Sequence, residues 1–147
     1  MLGPSDIKAI GRYATNVYVT NAELPPNVTS NPAVKKFDDA MAAIHASAVE
    51  DSNSEVSYVG VQLFARAAKL ANALTPAGIE AALNNNTFNL GLLPTLQFSK
   101  PLPGCGHPRC FNAWEMAMDI KNGTLVPYQN GAFVSTYGPV STAYAAG

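Results

Sequence analysis

Apolar residues recur along this chain with two different periods, and the change of period divides it. Between residues 32 and 83 the period is helical. Asn31-Pro32 sets a capping side chain ahead of a proline at the first helical position. Val34, Phe37, Met41 and Ile44 follow at spacings of three and four, with Lys35, Lys36, Asp38 and Asp39 on the other face. Glu50-Asp51-Ser52-Asn53-Ser54-Glu55 then supplies acidic and capping residues. The longest helix comes next, with Val56, Val59, Gly60, Leu63, Phe64, Ala67, Leu70, Ala71 and Leu74 as its predicted apolar stripe. Thr75-Pro76 opens a third helix carrying Ile79, Ala82 and Leu83, which Asn84-Asn85-Asn86 ends.

On either side of this block the period is two. Arg12 to Thr20, alternating around Tyr13, Val17 and Val19, reads as a strand rich in β-branched and aromatic residues. Leu96 and Phe98 fit a short strand after Gly91-Leu92-Leu93-Pro94. Trp114, Met116, Met118 and Ile120 share one face of a half-buried strand, with Glu115, Ala117 and Asp119 on the other. Asn122-Gly123 supplies the step of a tight hairpin turn, and Leu125-Val126 begin the return strand. Residues 131–147, rich in Ser, Tyr, Ala and Gly, are expected to be a peripheral strand or a frayed tail.

Composition narrows the function classes. At 147 residues, with 48% hydrophobic and 13% charged, the chain supports one packed domain. A net charge of −1 argues against a nucleic-acid partner. No apolar run approaches the roughly 18 residues of a spanning helix, and Met1 to Asp6 lacks the basic and apolar regions of a signal peptide. Phosphate-binding glycine loops and a Gly-x-Ser-x-Gly elbow are absent. His45 reads as a histidine at a helix C-terminus, and Asp38-Asp39 and Glu50-Asp51 as a solvated face and a cap. No nucleophile–base pair assembles, so enzyme activity is not expected, and no cofactor is implied. Asn27, Asn85 and Asn122 open Asn-x-Thr triplets.

Two readings stay open for Cys105 and Cys110, which flank Gly106-His107-Pro108-Arg109. One is a disulfide closing a small loop in an extracytoplasmic protein. The other is a Cys-x-His-x-x-Cys metal site, although a structural zinc wants four ligands. Tyr58 also has two readings: packing on a neighbouring strand, or facing an anionic ligand group near the electropositive start of the long helix.

The order of these elements resembles the C-terminal portion of a type 1 periplasmic binding protein of the branched-chain amino-acid (leucine/isoleucine/valine) class. The resemblance runs through Gly11 to Thr20, Asn31-Pro32-Ala33-Val34-Lys35-Lys36-Phe37, Ser57 to Ala67, Ile79 to Leu83 and Leu96-Gln97-Phe98-Ser99, ending at the Lys121-Asn122-Gly123 turn. Where the family often has Gly-Tyr-Asp-Ala, this chain reads Ser57-Tyr58-Val59-Gly60, so Tyr58 alone carries over. The resemblance implies an α/β, partial two-lobed fold containing pieces of both lobes. Residues 1–20 and 95–130 would be second-lobe and crossover strands, residues 21–92 the helical part of the first lobe, and 131–147 a tail. Crossovers would fall near Val19-Thr20-Asn21 and Gly91-Leu92-Leu93-Pro94, with Gly91 and Pro94 as hinge elements.

The implied function is that of an extracytoplasmic receptor for an ABC importer. It would bind an amino-acid-like solute by hinge closure, through Ser57, Tyr58 and Glu55, and deliver it to the transporter permease. Helix faces separated from the sheet they cover imply self-association or a complementary fragment. The alternatives are a ligand-sensing regulatory domain of the same fold and a self-assembling structural fragment.

Overall fold

A computed structural model describes residues 4–14, 16–100, 111, 114–136 and 143–145. The helical block forms where the caps place it. Helix α2 (Pro32–Ala43) starts from Asn31, whose side chain accepts the Ala33 N–H at 2.8 Å. Helix α3 (Ser52–Leu70) starts from a reciprocal cap. The Asp51 carboxylate accepts the Ser54 N–H at 2.8 Å, and Ser54 Oγ accepts the Asp51 N–H at 2.9 Å. These bonds hold the Asp51 carboxyl below the usual carboxylate range. Asp51→Ala is therefore expected to cost about 1 kcal/mol in urea unfolding at neutral pH, and acidification should erase the difference from the unsubstituted chain. Helix α4 (Pro76–Asn85) starts from Thr75 and ends where Asn86 Nδ2 donates to the Ala82 carbonyl.

The N-terminal strand is shorter than its alternation suggests. Residues 4–14 wind as α1 (Pro4–Ile10) and a 3₁₀ turn (Gly11–Ala14), and β1 covers only Tyr18–Asn21. Left-handed backbone at Gly11 (φ 53°) divides α1 from the turn, and at Asn16 (φ 65°) the turn from the strand. Tyr13, counted as a strand position, stands exposed. Ile7 and Ala14 instead pack on Ile120 in a small satellite core.

Strands β2 (Thr87–Phe88) and β3 (Leu96–Gln97) form a two-stranded antiparallel pair. The larger sheet is built on β4 (Trp114–Lys121). One edge pairs with β1, Asn21 opposite Met116. The other edge is shared by β5 (Thr124–Pro127) and β6 (Ala132–Ser135), and β7 (Ala143–Ala145) adds beyond β6. All these pairings are antiparallel. The β4–β5 turn is Asn122-Gly123, both at positive φ, as a two-residue hairpin of type I′ requires. The β4 alternation holds: Met116, Met118 and Ile120 are buried. The described part of residues 131–147, a segment expected at the periphery, contributes more. Phe133 of β6, 1% exposed and opposite Met116, joins the core with Leu24, Val34, Val59, Ala67, Leu92 and Met118.

Helix α3 packs on only part of its predicted stripe, the side of Val59, Leu63, Ala67 and Ala71. Ser52, Glu55, Val59 and Ala67 are buried, while Val56, Phe64 and Leu70 are more than half exposed, with Leu74 just beyond the helix also exposed. The i, i+4, i+8 ridge of Val56, Gly60 and Phe64 has no cover among the described residues. No helix of the described residues is long and apolar enough to cross a membrane. Cys105, Cys110 and His107 lie outside the described residues.

Candidate functional site

Tyr58, Gln62 and Arg66 stand four residues apart, so they form one row along α3. That row meets the start of α2 and the turn from Asn89 to Leu93, enclosing a cleft of about 520 Å³ whose remaining wall includes Phe133. Each wall is held by specific contacts. Tyr58 packs edge-on against buried Phe37, ring centres 5.5 Å apart and planes at 65°. The Arg66 guanidinium donates to the Asn89 carbonyl. Asn89 Oδ1 in turn accepts the Gly91 N–H at 3.0 Å, which folds the turn back on itself. Gly91 sits at φ 81°, and a Cβ there would lie 2.7 Å from Ala33 Cβ, so glycine is what lets the turn reach α2.

Among the described residues the charges lining the cleft are Lys36 and Arg66, with no acidic side chain. Asn31, Pro32 and Ala33 bring the first turn of α2, the positive end of its dipole, to the same place. The cleft is therefore electropositive with apolar walls from Val59, Leu92, Leu93 and Phe133, a surface suited to a small molecule bearing a carboxylate. Among the described residues that line it there is no Ser, Cys, His, Asp or Glu.

The three residues singled out from sequence take three different positions. Tyr58 lines the cleft. Ser57 is exposed, does not line it, and its hydroxyl donates to the Asn53 carbonyl at 2.8 Å. Glu55 is 0% exposed and faces Glu23 and Asp38 instead. Burial, with Glu23 and Asp38 adding to it, pushes the Glu55 carboxyl up to about 9. Burial and then Glu115 push Glu23 up to about 7, against a hydrogen bond with Asn21. Asp38 is raised by burial and by Glu50 and Asp39, with Lys35 opposing. Gly91, expected at a crossover, lines the cleft as well, and the Leu24 N–H, three residues beyond the other expected crossover, donates to the Leu92 carbonyl at 2.8 Å. Sequence reasoning missed Lys36, Gln62 and Arg66. The four-residue spacing from Tyr58 was the available signal for the last two.

A family model described as periplasmic binding protein matches residues 1–107. The crystal structure of a branched-chain amino-acid ABC transporter from Thermus thermophilus with bound valine is similar, with a TM-score of 0.59 at 12% identity. The match covers 99% of this chain and 37% of that one, so this chain spans little more than a third of its neighbour's length. None of the curated proteins compared matches the chain.

Proposed function

The chain belongs to the periplasmic binding protein family, and from that premise we propose that it forms the solute-binding part of an extracytoplasmic receptor serving an ABC importer. The observation that carries the proposal is the cleft, where the Tyr58-Gln62-Arg66 row, Lys36 and the α2 N-terminus surround an electropositive space with apolar walls. A zwitterionic amino acid fits that chemistry. Its carboxylate is placed toward Lys36, Arg66 and the first turn of α2, and its side chain toward Leu92, Leu93 and Phe133. The valine bound by the Thermus thermophilus neighbour supports this class of ligand. No bond-making step belongs to the proposal.

In this reading residues 21–92 move with one lobe and the strands of 1–20 and 95–130 with the other. The segments around Asn21 and Gly91–Pro94, tied by the Leu24–Leu92 hydrogen bond, act as the hinge. The uncovered ridge of Val56, Gly60 and Phe64 is assigned to the remainder of a two-lobed body or to a second copy, and the closed form to a transporter permease as partner.

An NMR titration of the chain with valine, leucine, glutamate and lysine tests the solute reading. Amide shifts are expected in residues 31–36, 58–66 and 89–93, and either Tyr58→Ala or Arg66→Gln should weaken the response roughly tenfold, equivalent to about 1.4 kcal/mol. Ser57→Ala should leave it unchanged. If none of the four amino acids shifts those amides at tens of millimolar, the cleft is not a solute site.

A further inference from the structure

Around the first turn of α3 the molecule buries oxygen atoms that meet no donor among the described residues. Asn21 Oδ1, Glu23 Oε1, Asp38 Oδ1 and both carboxylate oxygens of Glu55 are buried and find no hydrogen-bond partner there. The Asn21 amide nitrogen donates to the Glu23 carbonyl and to Ser52 Oγ, and its pull on the Glu23 carboxyl is outweighed by burial. With the carboxyls ionised, every orphaned atom in the set is an acceptor.

The surrounding elements do not relieve it. Glu23 follows β1, Asp38 comes from α2, Glu50 precedes α3, Glu55 lies on α3 and Glu115 on β4. Lys35 acts on Asp38 but is paired at the surface with Asp39. Among the described residues no three His, Cys, Asp or Glu side chains are spaced to hold a metal ion. A proton fits where a cation does not. Bound to a carboxyl it removes a buried charge and converts one acceptor into an O–H donor for its neighbour.

We propose that Glu23 and Glu55 hold a proton as a latch, fastening the segment after β1 to the start of α3. The latch bears on the cleft through two connections. Leu24, next to Glu23, donates its N–H to the Leu92 carbonyl, and Leu92 lines the cleft; Tyr58, one turn beyond Glu55, lines it too. Release of the proton to solvent leaves facing carboxylates in an apolar setting, and the segment of residues 21–24 swings away from α3, taking Leu92 with it. The proton site does not depend on what the cleft binds, and so goes beyond the solute reading.

Urea unfolding across pH 5–9, with carboxyl ¹³C shifts of glutamate, tests the latch. The folded chain keeps a proton that the unfolded chain releases above its ordinary 4.5. Stability is therefore lost as pH rises, and the unfolding constant should climb about tenfold per pH unit for each such carboxyl. Above pH 7 that slope comes from Glu55, so Glu55→Gln should flatten it there, and Glu23→Gln with Glu55→Gln should flatten the whole range. Exchange of the Leu24 amide should accelerate with pH beyond the intrinsic rate in the unsubstituted chain but not in the double variant. A flat profile in the unsubstituted chain, Glu55 carbon shifts titrating below pH 5, or a slope abolished by sodium or calcium would each overturn the proposal. If the variants fail to fold, the carbon shifts of the unsubstituted chain decide it alone.

Discussion

Phe37→Ala should lower the unfolding free energy by about 3–5 kcal/mol, a large share of the roughly 5–15 kcal/mol that holds a domain together. Phe37 is 0% exposed, on the inner face of α2, with its ring against Tyr58. Truncation removes apolar area from the core and leaves a void that two capped helices cannot easily close, since each is fixed at its first turn. About 0.5–1.5 kcal/mol of edge-on ring contact goes as well. Because Phe37 sets the position of Tyr58, amino-acid binding in the cleft should weaken along with stability. Tyr58→Phe keeps the ring and should stay within about 0.5 kcal/mol of the unsubstituted chain. A Phe37→Ala cost below about 1 kcal/mol, measured by urea unfolding, would mean that α2 and α3 do not pack as described.

The second large effect is expected at Gly91. Two penalties combine in Gly91→Ala: a side chain at φ 81°, costing about 1–3 kcal/mol, and a Cβ 2.7 Å from Ala33 Cβ. They can be separated. Adding Ala33→Gly removes the steric contact but not the backbone strain, so the double variant should recover only part of the loss. Since the turn of residues 89–93 forms a wall of the cleft, Gly91→Ala should also abolish the valine-induced shifts there. Full recovery in the double variant would mean that close approach, not conformation, is why glycine stands at this position.

Features encoded by adjacent residues were legible from sequence. Asn31-Pro32, Asp51 with Ser54, Thr75-Pro76 and the Asn122-Gly123 turn each need only a few neighbours to define their backbone, and each forms where expected. The β4 alternation was equally clear, because a central strand shows its buried face in every second residue. Helix α3 was harder. Periodicity reveals which side is most apolar but not which side finds a partner, and here the packed side carries Glu55 while Phe64 is 61% exposed. Asn16 broke the first strand by adopting a left-handed conformation, which asparagine takes up more readily than most residues but which the β-branched and aromatic alternation around it outweighed in the reading. The cleft was half visible: Tyr58 stood out, but the Asn89–Gly91 turn meets Arg66 at a sequence separation of 23, a pairing no local pattern encodes.

The pairing of β1 with β4 joins Tyr18 to Asp119, about a hundred positions later. Contacts of such long range are slow to close, whereas α3 and α4 meet their neighbours within a short loop. The helical pair is therefore expected to form first and the large sheet last. A chain emerging from the ribosome would present the apolar sides of its helices until β4 arrives, which makes that interval its period of greatest exposure to aggregation and of greatest need for a chaperone.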